Sequence, residues 1–211
     1  MNVTVVVPTI RARPDLLDAC TASIHRTLRD GDQLIVVVGG TFAENVNRGA
    51  MGVETELMVT VNDDCKVDQE DWLEKLTKPF DDPEVAVVGC RLIYPNGKLQ
   101  HAGVYLQLDD GILNGHHHLE EQPSGPVDAV TAACMAVRTD LFRKMGGFDE
   151  AFRNGNEDVD FCLRVRGDGL TVWYESSVTL IHHESASGPA RWTHVADNIR
   201  FFNERWTATP L

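Results

Sequence analysis

The chain has 211 residues, 43% of them hydrophobic and 24% charged, with a formal net charge of −13 and five cysteines. That length suffices for one α/β domain with its own core. The acidity opposes non-specific binding to nucleic acid or an anionic membrane, and scattered cysteines without CxxC spacing speak against a disulfide framework or zinc cluster.

The elements follow in chain order. Residues 3–7, four valines and Thr4, are a β-branched and mainly apolar run, which predicts a buried strand stopped by Pro8. Residues 14–28 predict a helix, with Pro14 in its first turn and Leu17, Cys20, Ile24 and Leu28 along one face. Gln33–Val38 predicts a second buried strand closed by Gly39-Gly40, and after a loop Leu57–Val61 a third, running directly into Asn62-Asp63-Asp64. Asp68 is expected to cap a helix whose Trp72, Leu73, Leu76 and Phe80 face inward, ahead of a fourth strand at residues 85–88. This alternation predicts a parallel sheet covered by helices, whose ligands bind beyond the carboxyl ends of the strands. Pro8-Thr9, Gly39-Gly40 and Asp63-Asp64 all fall at such ends.

The second half reads differently. Residues 92–95 and 104–108 around the Pro95-Asn96-Gly97 turn predict hairpins, residues 109–126 a polar loop, and residues 127–137 a strand. Thr139 is expected to cap a short helix ending at Gly146-Gly147, and a helix follows Asn156 as far as about residue 165. Residues 170–174 and 178–182 predict two short strands, and residues 191–206 a closing amphipathic helix. The longest apolar runs are too short to span a bilayer, and no basic segment precedes an apolar one at the N-terminus. A cytoplasmic chain without a leader or anchor is expected.

Three clusters could carry chemistry. Asp63 and Asp64 repel each other unless a cation or hydrogen-bond donors compensate, so they read either as oxygen ligands for a hard divalent metal or as an acidic turn. Residues 154–160 hold Glu157, Asp158 and Asp160. Acids suit the first turn of a helix, yet Asp158 shares the face of Phe161, Cys162 and Val165, where a carboxylate needs a partner or a task. His182-His183 ends a strand, so one ring faces inward. The run His116-His117-His118 reads as solvated, with contact to an acceptor as the alternative.

Taken in order, Val5-Val6-Val7-Pro8-Thr9, Arg13-Pro14 with Leu16-Leu17, Asn62-Asp63-Asp64, Tyr94-Pro95-Asn96-Gly97 with Gln100-His101-Ala102-Gly103, residues 130–135, Gly146-Gly147-Phe148-Asp149-Glu150, residues 156–164, residues 182–187 and Arg205-Trp206 resemble the family 2 glycosyltransferases of GT-A fold. The resemblance covers nearly the whole chain. It implies a single domain over residues 1–211: a nucleotide-binding half over about 1–90, a metal and acceptor half over about 91–190, and a helix at 191–206. The implied architecture is a Rossmann-like, mostly parallel sheet flanked by helices, with a smaller mixed or antiparallel sheet on the acceptor side. The implied activity is inverting transfer of a sugar from a UDP-, GDP- or dTDP-sugar to a hydroxyl of a glycan or other acceptor, assisted by Mn²⁺ or Mg²⁺.

By resemblance, Asp64 and His182 hold the metal, Asp63 sits by the ribose, and Asp158 is the general base. Pro8, Thr9 and Arg13 belong to the nucleotide pocket, with Arg48 toward the phosphates or base. Ala133, Cys134 and Glu157 line the donor-sugar and acceptor pocket. The chain departs from the family where many relatives carry a base-binding Asp: that place reads Val38-Gly39-Gly40-Thr41, leaving Glu44 or Asn45 for the base. Arg11 and Arg13 compete for one role. A sugar-nucleotide pyrophosphorylase and a non-catalytic nucleotide-sugar-binding module are the rival readings. Against the first stands Pro8-Thr9-Ile10 where a glycine-rich phosphate loop belongs.

Overall fold

A computed structural model describes residues 1–184 and 193–207. In chain order the elements are β1 (Val3–Thr9), α1 (Pro14–His25), β2 (Gln33–Val38), α2 (Phe42–Met51), β3 (Leu57–Val61), β4 (Cys65–Val67), α3 (Trp72–Thr77) continued by a 3-10 turn (Lys78–Asp81), and β5 (Val85–Ile93). There follow β6 (Leu99–His101), β7 (Val104–Asp109), β8 (Ile112–His117), β9 (Gly125–Pro126), β10 (Cys134–Arg138), α4 (Thr139–Lys144), α5 (Glu157–Gly167), β11 (Thr171–His182) and α6 (Val195–Trp206).

The main sheet runs β2-β1-β3-β10-β5-β11-β4, with β6 on β5 and β9 on β11. β1 is parallel to β2 and β3, and β5 is parallel to β11. β10 lies antiparallel between β3 and β5, so the sheet is mixed but mostly parallel. β7 and β8 form a separate two-stranded sheet. Cys134 pairs with Val61, which sets residues 131–133 beside the carboxyl end of β3.

Side chains alternate across the sheet and seed two cores. Val5 and Val7 meet Leu17, Cys20 and Ile24 of α1 and Trp72, Leu73 and Leu76 of α3 on one face. Val6 meets Val46 and Ala50 of α2, and Phe142, Phe148 and Phe161 around α4 and α5, on the other. Each such side chain contributes about 1.5–3 kcal/mol by leaving water. Trp72 is fully buried yet keeps its ring N–H satisfied on Thr27 Oγ1 at 2.8 Å. All five cysteines are buried and free, and burial pushes the Cys20 thiol up to about 12.

Several boundaries differ from expectation. β1 continues through Pro8, because the last β1–β3 pair is Val6 with Thr60; beyond it that side of β1 demands no backbone donor. β2 is an edge strand, which leaves Val36 and Val38 40% and 45% exposed. The segment read as a loop before β3 holds α2, started by a reciprocal capping box between Thr41 and Glu44. Asp68 pairs with Lys66 instead of capping; α3 begins after Asp71. Thr139 lies inside α4, with Arg138 at the cap position.

α1 stops at His25 and β5 runs on to Ile93. The polar loop contains β8, zipped to β7 across Asp110-Gly111, both at positive φ as a two-residue hairpin turn requires. Of residues 127–137 only the stretch from Cys134 is strand. The two predicted C-terminal strands are one, β11, with a break in register between Glu175 and Thr179. α6 begins at Val195, and Arg191 lies outside the described residues. Among the described residues no helix is long and apolar enough to cross a membrane.

Candidate active site

A cleft of about 330 Å³ opens at the carboxyl ends of β1, β2 and β3, walled by Pro8, Thr9, Gly40, Asn45, Asn62, Asp63, Asp64, residues 131–133, Asn154, Gly155, Glu157, Asp158 and His182. Its floor follows from chain direction. Three parallel strands end together, and the antiparallel β10 must enter the sheet from the same side. The Asn62 N–H donates to the Ala133 carbonyl at 3.0 Å, stitching the two segments.

Asp63 and Asp64 point to different partners. Asp63 Oδ2 accepts from Thr9 Oγ1 at 2.5 Å, and the Arg11 N–H donates to the same hydroxyl oxygen at 2.8 Å. Desolvation, with the neighbouring Asp64 charge adding to it, raises the Asp63 carboxyl above its ordinary range. Asp64 is buried at 6% exposure, and its Oδ1 stands 3.2 Å from Nε2 of the equally buried His182. The 120-residue separation of Asn62 and His182 is closed by β4, which pairs Cys65 with His182.

The donor set tests whether a cation suits this place. Asp64, Cys65 and His182 bring a carboxylate oxygen, a sulfur and a ring nitrogen within 4.8 Å of one another. Burial, reinforced by the Asp64 charge, lifts the Cys65 thiol well above its usual range, so it stays protonated and donates to Ala133 O at 3.4 Å. Asp64 and His182 are the harder donors of the three, and the Cys65 thiol is already turned to Ala133. Gln100 Oε1 lies 2.6 Å from His182 Nδ1. An amide oxygen only accepts, so Nδ1 carries a proton and Nε2 is the ring nitrogen turned toward the carboxylate. With Nε2 unprotonated, the ring and the carboxylate present two acceptors 3.2 Å apart, a pair that a cation between them would satisfy. Asn62 Oδ1, buried nearby, has no hydrogen-bond partner among the described residues. The residues therefore fit a hard divalent ion.

The opposite wall is the mouth of α5. Asn154 and Asn156 sit at φ 56° and 72°, a left-handed conformation asparagine tolerates better than most residues. The turn is held by Glu157, whose carboxylate accepts from the Gly155 N–H at 2.5 Å, and by Asn154 Oδ1, which accepts from the Phe42 N–H at 3.2 Å. Asp158 is thereby swung into the cleft. Its Oδ2 accepts from the Ala132 N–H at 3.0 Å and its Oδ1 from the Val159 N–H at 2.9 Å. Asp160, two residues on, points the other way into the core, where Arg164, Arg205 and Trp206 donate to it.

The fold thus brings Pro8, Thr9, Asp63, Asp64, Ala133, Glu157, Asp158 and His182 to one cleft. Arg13, Arg48 and Cys134 are not among its lining residues. Arg13 is paired with exposed Asp15 at 2.7 Å. Arg48 donates to the Val38 carbonyl and to Asn45 Oδ1 at 2.6 Å. Cys134, in β10, is buried in the core. Of the two candidates for base recognition, Glu44 closes its capping box while Asn45 lines the cleft. Thr41, Phe42, Asn154 and Gly155 also line it and were given no role from sequence; the Thr-x-x-Glu and Asn-Gly-Asn patterns were the available signals. His117, expected in solvent, is exposed, and its ring also lies 3.0 Å from buried His101, Nδ1 to Nδ1.

Comparison with known proteins adds four likenesses. Residues 39–146 match the model of the family described as Glycosyl transferase family 2. The O-antigen biosynthesis protein RfbC of Myxococcus xanthus is 36% identical over 154 residues, 67% of this chain and 12% of its own length. The chain spans only a small part of the first curated relatives it matches, 12% and 18%. Among solved structures, GalNAc-T7 with UDP, GalNAc and Mn²⁺ superposes with a TM-score of 0.72 at 12% identity, over 95% of this chain and 47% of that one. A mannosyltransferase from Pyrobaculum calidifontis in complex with GDP-Man and Mn²⁺ gives 0.63 at 17% identity, over 94% and 64%. At these identities the likeness is one of fold, GT-A.

Proposed function

Because this chain belongs to glycosyl transferase family 2, we propose that it transfers a sugar from a nucleoside diphosphate sugar to an acceptor hydroxyl, with inversion at the anomeric carbon. The observation that carries the reading is the convergence of Asp64 and His182, 3.2 Å apart, with Asp158 on the facing wall of the same cleft. A divalent cation bound there supplies Lewis-acid neutralisation of the departing diphosphate.

The chain's own residues do the rest. Asp64 and His182 Nε2 hold the cation, and Thr9 with Asp63 grips the ribose side. The Asp158 carboxylate, fixed by two backbone N–H groups, accepts the proton of the acceptor hydroxyl. The hydroxyl oxygen forms its bond to the anomeric carbon as the bond from that carbon to the diphosphate oxygen breaks, and the nucleoside diphosphate leaves. Attack from the face opposite the leaving group inverts the centre. The backbone of residues 131–133 shapes the sugar pocket. Asn45 meets the nucleobase, with its amide oxygen held by Arg48 so that its N–H donors turn to the cleft.

The test is D158N assayed with UDP-, GDP- and dTDP-sugars and Mn²⁺. Donor binding is expected to persist while transfer falls about 10²–10⁴-fold. Equal transfer by the wild type and D158N would remove the base assignment. Release of pyrophosphate from a sugar phosphate and a nucleoside triphosphate would replace the whole reading with nucleotidyl transfer.

A further inference from the structure

His182 does not choose its own tautomer. Gln100, from β6, places Oε1 2.6 Å from His182 Nδ1 and is itself buried at 6% exposure. A glutamine side chain can rotate end for end, presenting either oxygen or N–H₂ to that nitrogen; the first selects Nδ1–H, the second selects a proton at Nε2. A third group decides which. Glu184 Oε2 lies 3.3 Å from Gln100 Nε2, and a carboxylate only accepts. The amide N–H₂ must therefore face Glu184, and the oxygen must face the ring. Glu184 is held in turn by Tyr94 Oη, which donates to the same Oε2 at 2.8 Å. The Gln100 Nε2 is also 3.5 Å from the His182 carbonyl, a second acceptor on the same side. Nε2 itself faces Asp64 Oδ1 at 3.2 Å and Asn62 Nδ2 at 3.4 Å, so the choice of tautomer is made on the Nδ1 side.

We propose that Gln100 is a positioning residue for the cation site: the relay Tyr94–Glu184–Gln100 fixes His182 as the Nδ1–H tautomer and aims the Nε2 lone pair at the space beside Asp64. The relay joins the strand carrying the ring to the 94–101 hairpin, from which Gln100 touches His182 directly. Outer partners of this kind hold a ligating imidazole in one orientation, and their loss weakens metal affinity by about 10–100-fold. The inference rests on the reading that Asp64 and His182 hold the cation, so the experiment separates the two.

Mn²⁺ alone is titrated into wild type, D64N, H182A, Q100L and the double variant Q100E/E184Q, with free Mn²⁺ followed by electron paramagnetic resonance. The double variant exchanges the two groups and keeps an acceptor toward Nδ1 and a donor between the pair. Affinity is expected to be lost in D64N and H182A, to fall about 10–100-fold in Q100L, and to return to within a few-fold of wild type in Q100E/E184Q. In parallel, ¹⁵N shifts of the His182 ring in the metal-free wild type, at a pH where the ring is neutral, report where its proton sits. A proton on Nδ1 is expected; one on Nε2 overturns the relay without any variant having to fold. Wild-type affinity in Q100L, with D64N and H182A impaired, overturns the relay and leaves the cation site standing. Wild-type affinity in D64N and H182A overturns both.

Discussion

Three acids within four positions at the start of α5 have three different fates, and the difference is geometric. Glu157 ties the turn that precedes it, Asp158 enters the cleft, and Asp160 is fully buried against Arg164, Arg205 and Trp206. Successive helical residues are turned by about 100°, so neighbours in sequence face different surroundings. Asp160 is the clamp between α5 and α6. Removing it leaves the guanidinium of Arg205 with Asp149 as its one carboxylate partner among the described residues, and takes the carboxylate from Arg164. D160A is expected to destabilise the fold by about 3 kcal/mol in urea unfolding while leaving Asp158 in place. A change within ±0.5 kcal/mol would show the clamp to be idle. The periodicity that placed Asp158 on the face of Phe161, Cys162 and Val165 was legible in the sequence. The role of Asp160 was not, because beyond Arg164 in its own helix its donors, Arg205 and Trp206, come from a helix about 45 residues away.

Elements, too, were legible where the signal was local. The Thr41-x-x-Glu44 pattern and the Asp110-Gly111 pair are start and turn signals that can be read without a structure, and both mark elements that the hydrophobic pattern alone passes over. α2 has few strongly apolar residues, so its burial rests on the small Ala43, Gly49 and Ala50 with Val46. At Gly49 an added Cβ would stand 2.5 Å from Val6 Cγ1, so the helix lies directly on β1. Close approach of this kind fixes the place of Asn45 in the cleft. Truncation of the cap in T41A is expected to cost about 1 kcal/mol and to loosen this helix first, visible as faster amide exchange across Phe42–Met51 with β3 unaffected. Uniform exchange throughout the chain would argue that the cap does not govern the helix locally.

For the molecule as a whole, stability is set against pH by groups the fold buries. His101 is fully buried, and desolvation first, then its histidine neighbours, hold it well below its ordinary 6.5. Gly103 N–H donates to its Nε2 at 3.3 Å, and its Nδ1 faces His117, so the folded ring is neutral. The unfolded ring binds a proton below 6.5 and the folded one does not, so unfolding is favoured as pH falls through that value. The stability is fully present above 6.5 and declines by up to about 1.4 kcal/mol per pH unit below it, measurable as the urea midpoint against pH. A flat profile, or a His101 ring that titrates normally in the folded protein, would contradict this. At lower pH the carboxyls of Asp32 and Asp149, which hydrogen bonds to arginine and backbone N–H hold below their usual range against the opposing effect of burial, add a loss of the same sign. The sequence by itself determined the layered α/β architecture, the strand ends as the place of the cleft, and the residue types there, because hydrophobic period and turn chemistry are local properties of the chain. Only the tertiary structure decided which carboxylate meets which histidine, that Arg13 and Arg48 face elsewhere, and that Gln100 lies against the His182 ring. Those choices depend on strand order and on contacts across 80 residues or more, as between Gln100 and His182, and no local pattern encodes them.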